Sequence, residues 1–158
     1  MTKGRHIDIM GIVNLTDDSF YAESRCSDTG TLLERVSQMV QEGATILDFG
    51  ACSSRPGSEP VGPELEWERL EPALKAVRAV YPEIPISIDT CWSEVVEKAH
   101  ALIGDFIVND ITSGENDPQM LSVVGRLGLT FIAMHMRGTS KTMQDMTDYG
   151  DVVEDVVA

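Results

Sequence analysis

Two segments of this chain crowd polar side chains directly behind apolar runs. The first is Asn14-Leu-Thr-Asp-Asp-Ser-Phe20, with one amide, two carboxylates and two hydroxyls in seven residues. Hard oxygen donors of this kind suit magnesium when substrate phosphates complete the coordination shell. An Asx- or ST-turn that merely stops a strand uses the same residues. The second is Asp48-Phe-Gly-Ala-Cys-Ser-Ser-Arg-Pro-Gly57. There Ser53, Ser54 and Arg55 offer an anion or carboxylate contact, and Arg supplies a planar fork of donors for it. Pro56 and Gly57 fix a turn behind them.

Further along stand Asp89, in Ser87-Ile-Asp-Thr90, and the pair Asn109-Asp110. A carboxylate acceptor facing an amide, which both donates and accepts, can read the edge of a fused pyrimidine ring. Taken singly, a helix N-cap or a strand-end hydrogen bond explains each of them as well. His135 lies in Met134-His-Met-Arg-Gly138 and reads as a packing or hydrogen-bonding residue, with Arg137 a lesser candidate for an anion contact. No His is placed to make a nucleophilic dyad with Cys52 or Cys91.

These residues need elements to position them. Five runs read as strands: Ile7–Val13, Thr45–Asp48, Ile84–Ile88, Asp105–Val108 and Leu129–Met134. They are nearly continuous in apolar residues, as parallel strands covered on both faces are. Helical faces alternate with them: Leu32, Val36, Met39 and Val40; Leu70, Leu74 and Val77; Val95, Ala99 and Leu102; Met120, Val124 and Leu127. Gly43, Gly104 and Gly128 sit where helix C-caps are expected. Asp117-Pro118 reads as an N-cap followed by a first-turn proline. Pro72 predicts a kink in the second helix or a late start to it.

Alternating strand and helix means α/β. The strands run into Asn14, Asp48, Asp89, Asn109-Asp110 and His135. Polar side chains at the carboxyl ends of all five favour a (β/α)8 TIM-type barrel, whose active sites sit on that rim. An open doubly wound sheet would need them only at its switch point, and no G-x-G-x-x-G follows the first strand. A whole barrel takes about 250 residues. Residues 1–158 are therefore expected to form a single incomplete barrel domain, truncated to about the first five βα units.

Composition narrows the function classes. The formal charge of −14 lacks the basic surplus that nucleic acid or an anionic membrane requires. No stretch approaches the about 20 apolar residues of a membrane span, and the N-terminus carries no signal-peptide core. The three cysteines, Cys26, Cys52 and Cys91, are widely spaced and suit reduced thiols in a cytoplasmic protein.

Ile9-Met-Gly-Ile-Val-Asn-Leu-Thr-Asp-Asp-Ser-Phe20 resembles the first signature of the dihydropteroate synthases, the pterin-binding barrel family. Ser53-Ser-Arg-Pro-Gly57 resembles the second. Ser87-Ile-Asp-Thr90, Val108-Asn-Asp110 and Met134–Thr139 follow in the family's order. The resemblance covers nearly the whole chain. It implies condensation of dihydropterin methyl diphosphate with 4-aminobenzoate, giving dihydropteroate and pyrophosphate in folate biosynthesis. It further implies that Asn14 holds magnesium-bound pyrophosphate and that Mg2+ is the cofactor. Asp89 and Asn109 would hydrogen-bond the pterin, with Met134 beside them. Ser53, Ser54 and Arg55 would lie near the pyrophosphate and the 4-aminobenzoate, Arg55 joining Asp89 and Asn109 in catalysis. Asp18, Ser19 and Phe20 would belong to the first loop. A homodimer and sensitivity to sulfonamides are also implied.

The sequence departs from the family at Asp17, usually Pro, and at Cys52-Ser-Ser54, usually Glu-Ser-Thr. The family also draws an Asp, a Lys and an Arg-x-His motif from later strands, so little or no turnover is expected of these 158 residues alone. Two rivals stand beside this reading. One is a folate-binding methyltransferase-type barrel, whose methyl donor carries no pyrophosphate. The other is a non-enzymatic half-barrel that serves as a binding module.

Overall fold

The structure, a computed structural model, describes residues 7–15, 25–52, 61–138 and 142–157. The elements run β1 (Met10–Asn14), α1 (Arg25–Gln41), β2 (Ile46–Gly50), α2 (Pro63–Val80), β3 (Ile86–Asp89), α3 (Ser93–Ile103), β4 (Ile107–Asp110), α4 (Met120–Leu127) and β5 (Thr130–Ala133). A short 3-10 turn, Met143–Asp145, and α5 (Val152–Val157) follow.

The helices form where apolar residues recur at helical spacing. Leu70, Ala73, Leu74 and Val77 make one stripe on α2, and all are buried. Leu32 and Val36 do the same on α1, Val95, Val96 and Ala99 on α3, and Met120, Val123 and Val124 on α4. Gly104 and Gly128 terminate α3 and α4 at positive φ, as expected of C-caps. Gly43 has φ 108° in the turn after α1. Asp117 caps as predicted: its Oδ1 accepts from Gln119 N at 2.9 Å. Regular α4 nevertheless begins only at Met120, because the opening turn is tight and Met120 N bonds Asp117 O.

Pro72 does not delay α2. The helix starts at Pro63, a proline in the first turn, and runs continuously through Pro72. Pro72 and Glu68 are both exposed, so the helical bond that Pro72 cannot donate falls on the solvent side of α2.

All five strands are parallel and pair in sequence order, β1-β2-β3-β4-β5. Consecutive helices pack on one another, α1 on α2, α2 on α3 and α3 on α4. A doubly wound sheet reverses its strand order at a switch point. This one does not reverse, which is the winding of a (β/α) barrel.

All five strands are shifted by one to three residues from expectation, and two of the shifts bear on the site. Pairing of β1 begins at Met10 opposite Ile46, so Ile7 and Ile9 form an exposed lead-in. Strand β2 continues past Asp48 to Gly50, because Phe49 pairs on both sides, with Val13 and Ile88. Asp48 therefore lies inside its strand.

The strands are not covered alike on both faces. Val13, Phe49, Ile88 and Val108 are register neighbours; all are fully buried and belong to the core cluster that the helices share. The opposite face carries Ile12, Asp48, Ser87 and Ile107 in one row, and Asn14, Gly50, Asp89, Asn109 and Ile132 in the next. At the sheet's margins that face is open: Ile12 is 66% and Ile132 39% exposed. The strands read as apolar runs because most helix-facing residues are large and aliphatic or aromatic. Polar residues interleave on the other side.

Candidate active site

The row Asn14–Gly50–Asp89–Asn109–Ile132 ends the strands on the face away from the helices. In-register residues of parallel neighbours stand about 4.8 Å apart and point the same way. Three residues picked from sequence, Asn14, Asp89 and Asn109, thus share one row and one face. Gly50 stands between Asn14 and Asp89 and leaves a gap in the wall. Asp89 leans over it, with Oδ2 3.4 Å from where a Cβ on Gly50 would be.

Asp48 lies one step below this row on the same face, and Asn109 Nδ2 donates to its Oδ2 at 3.3 Å. A carboxylate only accepts, so this contact fixes the Asn109 amide with nitrogen toward Asp48. Its carbonyl oxygen is then presented away from Asp48 as an acceptor. Asp48 is buried, and its other oxygen has no hydrogen-bond partner among the described residues.

Asp89 is held above the usual carboxylate range, at about 6. Burial is the main cause, and the charges of Asp48 and Asp110 add to it. Asp48 and Asp89 on this face, with the charge of Asp110 on the helix side, disfavour further negative charge and favour a ligand that brings hydrogen-bond donors or positive charge.

Asp110 has a different task. It is fully buried and faces the helix side. Its carboxylate accepts from Thr112 N at 2.7 Å, Thr112 Oγ1 at 2.8 Å and Gly114 N at 2.8 Å. It builds the turn after β4, in which Ser113 adopts a positive φ of 55°. Ser113 Oγ then donates to Met134 O at 2.6 Å, which sets Met134 beside the end of β4. Met134 is 37% exposed there.

His135 and Arg137 are occupied elsewhere. The His135 ring lies 5.9 Å from that of Tyr149, and Arg137 sits 4.7 Å over the same ring. Arg137 Nη1 also donates to Asp148 O at 2.6 Å. The structural role expected of His135 holds. Arg137 is a clamp on the 148–149 segment rather than a free anion contact.

The described thiols, Cys52 and Cys91, are held toward their neutral form. Burial raises Cys52 above its ordinary value and pushes Cys91 up to about 12, with Glu66 and Asp110 contributing to the latter.

Ser53, Ser54, Arg55, Asp18, Ser19 and Phe20 lie outside the described residues. Asn14 is exposed at the end of β1. Among the described residues no group of three His, Cys, Asp or Glu is arranged to hold a metal. No helix there is long and apolar enough to cross a membrane.

Sequence reading passed over two features. Asp48 was taken as a strand end, although an acid two residues before a glycine inside an apolar run already places both on one strand face. Glu66 and Arg69 lie on the buried side of α2, at 0% and 9% exposure. Their spacing from Leu70 and Ala73 puts them in the apolar stripe, a signal visible in the sequence. Burial lifts Glu66 to about 7, with Asp89 adding; the Thr90 hydroxyl and Arg69 oppose this without reversing it.

Comparison with known proteins bears on the family and the fold. The pattern of the pterin binding enzyme family matches residues 10–158. The chain is 45% identical over 150 residues to the dihydropteroate synthase of Neisseria meningitidis serogroup B (strain ATCC BAA-335 / MC58), covering 94% of this chain and 52% of that protein. The Yersinia pestis dihydropteroate synthase in complex with a sulfonamide drug superposes with a TM-score of 0.81 at 31% identity, over 95% of this chain and 54% of that one. The Burkholderia cenocepacia dihydropteroate synthase complexed with 7,8-dihydropteroate does so at 0.74 and 36%, over 97% and 50%. The chain spans about half the length of the dihydropteroate synthases it matches.

Proposed function

Because the chain belongs to the pterin binding enzyme family, we propose that its strand ends form the pterin-diphosphate side of a dihydropteroate synthase site. The observation that carries the proposal is the single row of Asn14, Asp89 and Asn109 around the gap at Gly50. The pyrimidine edge of a pterin carries an amino group and a ring N–H side by side. The Asp89 carboxylate and the Asn109 carbonyl oxygen, oriented by Asp48, are two adjacent acceptors for such an edge.

In the proposed reaction the C–O bond to the diphosphate breaks, and pyrophosphate leaves with the electron pair. The amine of 4-aminobenzoate then bonds the methylene and loses a proton. Positive charge builds on the pterin in between. Asp89, with Asp48 and Asp110 behind it, stabilises that charge from fixed positions. Asn14 stands at the other end of the row, where the diphosphate would lie. A single amide oxygen fits a magnesium ion that arrives with substrate phosphates and keeps several waters. Bound there, the ion would neutralise the leaving pyrophosphate. Ser53, Ser54 and Arg55 are proposed to contact the diphosphate and the aminobenzoate. The reading includes sulfonamide binding, a homodimer and a cytoplasmic setting. Cys52 and Cys91, neither of them in a disulfide, suit a reducing compartment.

Calorimetric titration of dihydropterin methyl diphosphate, with and without magnesium, tests the proposal. Magnesium-dependent binding, with a pterin lacking the diphosphate binding more weakly and without magnesium, supports it. Preference for methyltetrahydrofolate would favour the methyltransferase reading instead.

A further inference from the structure

The connection between β2 and α2 leaves the sheet at Ala51 and Cys52 and returns at Val61. Both stems are held by side chains from other elements. Arg69 of α2 is buried and donates from Nη1 to Ala51 O at 2.9 Å. Trp92, at the head of α3, donates from Nε1 to Val61 O at 2.9 Å. The Val61 N–H in turn lies against the Cys52 thiol, so the two stems also touch each other.

Trp92 is itself fixed from the site side. Its N–H bonds Thr90 Oγ1 at 3.2 Å, and Thr90 N bonds Asn109 O at 3.0 Å. The next residue, Ser93, donates its N–H to Asp117 Oδ2 at 2.8 Å. Burial alone would raise the Asp117 carboxyl, yet the hydrogen bonds from Ser93 and Gln119 hold it below its ordinary value. A continuous set of hydrogen bonds therefore runs from Asn109 through Thr90 and Trp92 to Val61. Neither Arg69 nor Trp92 belongs to the row of Asn14, Asp89 and Asn109.

We propose that Arg69 and Trp92 are positioning residues: they hold Ala51 and Val61, the stems of the connection whose sequence carries Ser53, Ser54 and Arg55, in register with the ends of β3 and β4. The consequence for ligands rests on the site proposed above; the anchoring itself does not. A pterin ring read by Asp89 and Asn109 should be indifferent to the stems. A ligand that extends to the diphosphate should depend on them.

Trp92→Phe tests this, because it keeps an aromatic ring and removes the indole N–H that holds Val61. Arg69→Lys is the second variant; it keeps the charge and shortens the reach to Ala51. In 15N-labelled protein, hydrogen exchange at the Val61 amide, whose N–H lies against Cys52, should quicken about fivefold to tenfold in Trp92→Phe, because losing one neutral hydrogen bond at the Val61 carbonyl loosens the stem. Exchange at Phe49 and Ile88 should stay as in the parent. Affinity for 6-hydroxymethyl-7,8-dihydropterin should stay within about twofold, while affinity for its diphosphate falls by about fivefold to tenfold. Unchanged exchange at Val61 overturns the anchoring. Equal losses for both pterins reduce Trp92 to a general structural residue and overturn the positioning role. If the parent binds neither pterin, it is the proposed function that fails for this chain, and the exchange result alone decides the anchoring.

Discussion

Asn109 Nδ2 donates to Asp48 Oδ2 across 3.3 Å although β3 runs between their strands. In a flat sheet, strands two apart lie nearly 10 Å from each other, and parallel side chains of this length do not meet. They meet here because the sheet curves toward the face that bears them. The same contact orients the Asn109 amide, so the curvature of the fold sets the chemistry of the site.

Asp89→Asn should weaken pterin binding by roughly tenfold to a hundredfold, since a hydrogen bond to a charged acceptor contributes about 1.5–3 kcal/mol. The change preserves shape and replaces an acceptor with a partial donor. Calorimetry on folded variant and parent measures it. Loss of less than about threefold would remove Asp89 from the binding edge.

Pterin affinity should depend on pH through Asp89. Burial, with Asp48 and Asp110, holds this carboxyl at about 6, and only its ionised form accepts from both ring donors. Affinity should be level above about pH 7 and fall as pH drops through about 6. Titrations at three pH values across that window decide it, and in Asp89→Asn the dependence should flatten.

Glu66 should make stability pH-dependent in the opposite sense to an exposed acid. Its carboxyl is raised from 4.5 to about 7 in the folded chain. The unfolded chain therefore releases this proton first, and the folded state loses relative stability as pH rises from about 4.5 to about 7. Glu66→Gln has no proton to lose. The melting-temperature difference between Glu66→Gln and parent should shift in the variant's favour across that window, whatever its value at low pH. A constant difference would show that Glu66 keeps an ordinary pKa.

Asp110→Ala should destabilise the fold by about 2–4 kcal/mol, because it strands three part-buried donors in the turn after β4. Chemical denaturation measures the loss. The same variant should loosen Met134, which Ser113 of that turn holds, and so reduce pterin affinity as well as stability.

Much of this protein is legible before any fold is known. The helical stripes of Leu70, Leu74 and Val77, and of Val95 and Ala99, are sequence periodicity made buried surface. The glycines at 104 and 128 cap helices because only glycine takes positive φ freely. Asn14, Asp89 and Asn109 are local too, each the polar residue on which a strand pairing ends or nearly ends. Their sharing of one row is not local. It depends on the register Asn14–Gly50–Asp89–Asn109, which is fixed by which apolar neighbours pair across strands. Sequence put Asp48 at a strand end, whereas pairing by Phe49 carried the strand past it and left Asp48 to orient Asn109. Nor does sequence show Arg69 reaching back to Ala51, or Trp92 reaching across to Val61. Residue type and spacing determine which elements form and which side chains carry chemistry. The strand order, the curvature and the long-range hydrogen bonds decide which of those side chains meet, because burying the helix-facing row forces the opposite row together.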